Sequence, residues 1–174
     1  MKFDLNKSIE ILSRTPCVLE TLLSGISDEW LMNNEGENTW SPFDIVGHLI
    51  HGEKTDWIIR MEIILSDARD KRFVPFDRTA QFKESEGKNI TQLLEEFKTI
   101  RKQNIEIVES RKINSNDLTK KGIHPAFGEV TLKELLSTWT AHDLSHIAQI
   151  ARVMAKQYAN EVGPWKEYLP ILEK

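Results

Sequence analysis

Apolar residues recur at helical spacing along most of the chain. Leu5, Ile9, Leu12, Leu19, Leu22 and Leu23 predict a first helix over residues 4–25. Thr15-Pro16 interrupts that run as a cap followed by a first-turn proline, so the helix is expected to break or restart there. Ser41-Pro42-Phe43-Asp44 is a capping box with proline in its first turn, and it opens a second helix running to about Leu65. Residues 66–88 are charged and aromatic by turns, with Pro75 and Gly87 but no period, and read as a long connection across one end of the molecule. A third helix begins near Asn89 and carries Leu93, Leu94, Phe97, Ile100, Ile105 and Val108. After a loop at 114–130 with Gly122, Pro125 and Gly128, a second capping box, Thr131-Leu132-Lys133-Glu134, starts a helix through Leu135, Trp139, Ile147, Ile150, Val153 and Met154. Beyond Gly163-Pro164 a short amphipathic tail, Trp165 to Leu172, is placed to close over an open end. No convincing alternating strand is present. Four main helices with long crossovers predict an all-α four-helix bundle, a single domain over residues 1–174.

Composition narrows the setting without naming a chemistry. At 174 residues, 40% hydrophobic, the chain is long enough to bury a self-sufficient core. The lone Cys17 forms no internal bridge, which fits a reducing, cytoplasmic compartment. Apolar runs stop at three residues, as in Trp57-Ile58-Ile59, so neither a membrane-spanning helix nor a secretory signal is expected. A net charge of −4 argues against a general nucleic-acid partner. The basic clusters Arg69 to Arg72 and Lys120-Lys121 read as solvated loop charges.

The histidines carry the candidate chemistry. His142 and His146 stand four apart in the strongest helical pattern, so both rings lie on one face, one turn apart. That spacing offers two nitrogens to one metal ion, and it equally suits two hydrogen-bonded bundle histidines. A third ligand has to come from elsewhere. The second helix supplies His48, His51 and Glu53, and projecting it at 100° per residue puts its apolar stripe on Val46, Ile50, Trp57 and Ile64. Glu53 falls within the stripe, whereas His48 and His51 both lie well off it, so geometry nominates Glu53. In favour of His48, Gly52 one turn later leaves space on the same side, although a glycine there also suits close helix packing. His124, in the loop His124-Pro125-Ala126-Phe127-Gly128, is either an acid/base over the bundle mouth or simply solvated. His142-Asp143-Leu144-Ser145-His146 departs from the zinc-protease pattern by carrying aspartate where glutamate is needed; Asp143 is better suited to orienting a neighbour. Trp57 and Trp139 fall at core spacing, whereas Trp30, Trp40 and Trp165 suit a mouth or an interface.

Several of these segments together resemble one family. Trp40-Ser41-Pro42-Phe43-Asp44, Gly47-His48-Leu49 and Glu53 are similar to the second-helix motif of the DinB/YfiT-like superfamily. His142-Asp143, His146 and Gln149-Ile150 are similar to its last-helix motif. The stretch His124-Pro125 through Gly128 to Thr131-Leu132 and the tail Val162-Gly163-Pro164-Trp165 resemble further parts of it. The resemblance implies an up-down-down-up four-helix bundle, often homodimeric, and a metal site of His48, His142 and His146. It thus prefers His48 where the projection favours Glu53. Characterised relatives include transferases and isomerases that use low-molecular-weight thiols.

Three neutral imidazoles leave positions open for water or substrate. The expected cofactor is one divalent ion, Zn, Ni or Mn, lowering the pKa of a thiol or water. The expected activity is transfer of a small thiol to a small electrophile. The rivals are a hydrolase using metal-bound hydroxide and a non-catalytic metal-binding, stress-associated dimer. Glu53 or Asp143 would orient a ligand ring, and Gln149 would contact substrate or support the site.

Overall fold

The computed structural model describes residues 1–173. Helix α1 (Leu5–Leu23) is capped by Asp4, whose carboxylate accepts from the Lys7 backbone N–H at 3.2 Å. It runs unbroken through Pro16, where the sequence predicts an interruption. Proline lacks the N–H that would bond the Leu12 carbonyl one turn back. Arg101 supplies that donor from another helix, its Nη1 lying 2.9 Å from the Leu12 oxygen. The carbonyl that Pro16 orphans is therefore satisfied, and the helix continues.

A short helix α2 (Asp28–Met32) precedes α3 (Pro42–Thr55), which opens on the predicted capping box: the Asp44 N–H donates to Ser41 Oγ at 3.2 Å and the Ser41 N–H to Asp44 Oδ2 at 3.0 Å. The single helix expected to Leu65 is divided at Asp56 (φ −117°, ψ −73°), and α4 (Trp57–Leu65) follows. Helical bonds flank the division, Asp56 N–H to Gly52 O and Arg60 N–H to Asp56 O, so it is a kink rather than a turn. Beyond the kink, Trp57 stacks on Trp139 with centroids 5.8 Å apart.

The connection at 66–88 is more ordered than its aperiodicity implies, for it holds α5 (Ala80–Glu84), packed on α3. That contact needs Gly47, where an added Cβ would come within 2.5 Å of Ser85 Oγ. Helix α6 (Ile90–Ser110) starts on an Asn89/Gln92 capping box. The loop at 114–130 contains an antiparallel hairpin, β1 (Lys121–His124) with β2 (Gly128–Thr131), a correction to the strand-free reading. Four-residue strands are too short to show alternation. Gly122 lets the hairpin sit on Phe73, whose ring would lie 2.5 Å from a Cβ at that position. Helix α7 (Leu132–Lys156) begins at the predicted Thr131/Glu134 box. The tail forms two 3₁₀ turns; it buries Leu172, but Trp165 and Tyr168 stay exposed at 69% and 78%, so it covers less than expected.

Cross-helix pairs give the directions. Lys98 meets Glu20 and Arg101 meets Leu12, so α6 runs antiparallel to α1. Arg101 meets Glu53 and Arg111 meets Glu62, so α6 runs parallel to α3–α4. His48 meets His142 and Glu53 meets Trp139, so α7 runs antiparallel to α3. The result is an up-down-down-up four-helix bundle. Its core is two apolar clusters, one around Leu19, Val46, Leu49, Phe97 and Ile150, the other around Met61, Ile64, Phe73, Leu132 and Trp139. Glu53, Arg101, Asn104 and Asp143 form a buried polar layer between them. Among the described residues no helix is long and apolar enough to cross a membrane.

Candidate metal centre

The structure brings His48 from α3 together with His142 and His146 from α7. Nε2 of His142 lies 3.2 Å from Nε2 of His48 and 3.1 Å from Nε2 of His146. One ring nitrogen from each of the three falls within 4.8 Å of the others. His48 reaches this position although it lies off the apolar stripe, because α3 is wrapped on more than one side. All residues from Ile45 to Glu53 are buried: α5 packs on the side of Gly47 and His51, and Trp40, Phe76 and the α7 histidines close around His48.

Hydrogen bonding alone does not satisfy this arrangement. A neutral imidazole nitrogen holds either one proton or one lone pair. His142 Nε2, with neighbours on both sides, serves only one of them. His146 is fixed the other way round: its Nδ1 lies 2.8 Å from Gln149 Oε1, so Nδ1–H donates and Nε2 keeps its lone pair for the centre. Nδ1 of both His48 and His142 is buried without a partner among the described residues. Burial, and after it the neighbouring cationic groups, pushes His48 and His142 down to about 3; burial also lowers His146. All three rings are thus neutral near pH 7, the state a metal requires. An ion about 2.1 Å from each of three nitrogens holds them roughly 3.0–3.4 Å apart, and the separations from His142 fall in that range. The donor set fits a divalent cation.

The centre opens into a cavity of about 330 Å³ lined by Trp40, Gly52, Asp56, Trp57, Phe76 and Arg78 besides the histidines. Trp40 lies against His48 and stacks at 6.4 Å on His146. Gly52 both leaves space and packs closely, a Cβ there lying 3.3 Å from Trp57 Nε1. Asp56 is paired with Arg60 Nε.

Glu53 does point inward, as the projection has it, but into the polar layer. Its Oε1 accepts from Arg101 Nη2 at 2.8 Å and Trp139 Nε1 at 2.9 Å, and its Oε2 accepts from Asn104 Nδ2 at 2.9 Å. Asp143 accepts two hydrogen bonds from Arg101, at 2.5 and 3.0 Å. Neither carboxylate bonds a histidine ring. Burial opposes the charge on Arg101, and the carboxylates of Glu53 and Asp143 overcome it, so its pKa is raised. His51 is buried against Glu84 (Nδ1 to Oε1, 3.0 Å), and Phe76 packs against both its ring and that of His48. His124 lies in the hairpin turn, away from the trio. Its Nδ1 accepts from the Ala126 and Phe127 N–H groups at 3.1 and 3.3 Å, and burial and Arg60 lower its pKa.

Sequence reasoning missed Arg101, Asn104, Phe76 and Arg78. The first two left a signal: 94, 97, 101, 104 and 108 share one face of α6, so Arg101 and Asn104 interrupt an apolar seam of Leu94, Phe97 and Val108. Phe76 and Arg78 left none, since the segment bearing them has no period.

The chain belongs to the DinB superfamily, whose family model matches residues 11–150. Among solved structures it is similar to YfiT from Bacillus subtilis, described as a probable metal-dependent hydrolase with an unusual four-helix bundle topology. That match has a TM-score of 0.73 at 18% identity and covers 94% of this chain and 90% of the other, a likeness of fold. No curated protein matches the sequence.

Proposed function

We propose that this DinB superfamily protein is a metal-dependent enzyme. In this reading His48, His142 and His146 hold one divalent ion, and a low-molecular-weight thiol is transferred to a small electrophile. One observation carries it: three neutral Nε2 atoms converge beside an open cavity in a way that their own hydrogen bonds do not satisfy. A divalent ion held there supplies a Lewis acid that lowers the pKa of a thiol or a water. The remaining work falls to the chain. Gln149 fixes the tautomer and orientation of His146. Asp143, locked to Arg101, holds the α7 turn that carries His142 against α3. Trp40, Trp57 and Phe76 keep the cavity walls apolar, so a bound electrophile is shielded from bulk water. The attacking sulfur comes from a cosubstrate, because Cys17 lies exposed on α1 in a groove shared with α6. The thiol loses its proton to solvent, a carbon–sulfur bond forms, and the electrophile's leaving group departs with its bonding pair.

Hydrolysis, with water as the nucleophile, is the second reading, and the description of YfiT favours it. Metal analysis of the purified protein against His142→Ala tests the centre; equal metal content in both would sink it. Incubating zinc-loaded protein with an alkylating electrophile and a panel of small thiols separates the two chemistries. A thioether product is expected. Loss of the leaving group without thiol would favour hydrolysis, and no turnover of either kind would leave a metal-binding bundle.

A further inference from the structure

The charges around the cavity do not balance, and the imbalance bears on what it accepts. Imidazoles that hold a metal ion do so in the neutral form, so the three histidines would bring no charge of their own. Asp56, the one carboxylate residue among the lining, already pairs with Arg60. Other cations nearby are committed: Lys54 to Glu84 and Glu96, Arg101 to Glu53 and Asp143. Arg78 lines the same cavity and, among the described residues, has neither an ion pair nor a hydrogen bond. A dication held by three neutral ligands would add two further positive charges with no protein anion to offset them.

Arg78 is also held in place. Asp77 Oδ1 accepts from the Thr79 N–H and hydroxyl, both at 2.8 Å, and from the Ala80 N–H at 3.2 Å, which fixes the backbone on one side of Arg78 as it enters α5. On the other side Phe76 is wedged against His48 and His51, with ring centroids 5.4 and 4.9 Å away. The guanidinium therefore rises from an anchored turn at the cavity rim, free of any internal partner. Its planar fork matches a carboxylate, and the walls of Trp40, Trp57 and Phe76 match a flat apolar body.

We infer that the substrate of this centre is a small carboxylate, and that Arg78 is the residue that selects it. This rests on the metal-enzyme reading above, and its test is built to fail separately. Benzoate and its neutral isostere benzamide are titrated into the metal-free and zinc-loaded protein, followed by the fluorescence of the tryptophans in the cavity wall. Benzoate is expected to bind at least tenfold tighter than benzamide in both forms. Arg78→Gln should bring that ratio close to one, and Arg78→Lys should keep part of it. By linkage, benzoate should tighten zinc binding in the wild type and much less in Arg78→Gln. Equal binding of the two probes, or an unchanged ratio in Arg78→Gln, overturns the inference. Zinc binding that is the same in wild type and His142→Ala overturns the metal reading instead, while the benzoate-to-benzamide ratio of the metal-free protein still decides the role of Arg78.

Discussion

Two buried polar groupings lie within about two turns of each other on α3 and α7, and they are built on opposite principles. The Arg101 layer is close to saturated. Both oxygens of Glu53 and both of Asp143 accept hydrogen bonds, and Arg101 also caps the carbonyl that Pro16 leaves free; of its nitrogens only Nε lacks a partner. The histidine trio is the reverse: three nitrogens face one another, two Nδ1 atoms are stranded, and no carboxylate bonds a ring. Burying polar groups without partners costs about 1–3 kcal/mol each, so a fold keeps such a set where a ligand completes it. The saturated layer holds the helices; the unsaturated trio is positioned so that it could hold an ion.

The contrast breaks most visibly at Arg101. Arg101→Met strands two buried carboxylates and reopens the Leu12 carbonyl, a loss expected at about 3–5 kcal/mol, or about 10 °C in Tm for a chain of this size. A thermal melt within 2 °C of wild type would show that the layer is not structural. His142→Ala should do the opposite: leave the metal-free melt within about 1 kcal/mol while weakening zinc more than about 100-fold in a calorimetric titration, beyond what loss of a mere ring-orienting partner brings. Zinc at 100 times its wild-type Kd should stabilise the wild type by about 2.7 kcal/mol and the variant by no more than about 0.4 kcal/mol. Gln149→Leu sharpens the picture, since it removes only the hydrogen bond that orients His146; a roughly 10-fold loss of zinc affinity with an unchanged melt is expected.

The smallest effect is in the connection between α2 and α3, where Glu35 accepts from Arg152 Nε and Nη2 at 2.8 Å each. The hydrogen bond from Arg152 outweighs burial and holds this carboxyl below its ordinary value. Its contribution is therefore complete above the unfolded glutamate pKa and fades as pH falls through the lower folded one. Glu35→Gln should remove no more than about 1 kcal/mol at pH 7, and the gap to wild type should close in acid.

The helices and their starts were legible because caps and periodicity are local. Ser41, Asn89 and Thr131 begin α3, α6 and α7 where their side chains fit. What escaped depends on a distant partner. Pro16 reads as a break until Arg101, 85 positions on, is seen to replace the missing donor. His48 reads as off-stripe until Trp40, Phe76 and the two α7 histidines are found packed around its ring. Glu53 reads correctly as inward, but only Arg101 and Asn104 tell which interior it faces. His142 and His146 were legible as a pair from spacing, and the third member of the trio came from motif likeness rather than geometry.

The Arg101 layer also bears on how the chain folds. It takes the Leu12 carbonyl from α1, Glu53 from α3, Arg101 and Asn104 from α6, and Asp143 and Trp139 from α7. An assembly of any three of these helices leaves the guanidinium, a carboxylate or a carbonyl in the interior with its partner missing. Partly built forms are penalised from every direction, so the bundle is expected to form and melt in one step rather than shed its first or last helix.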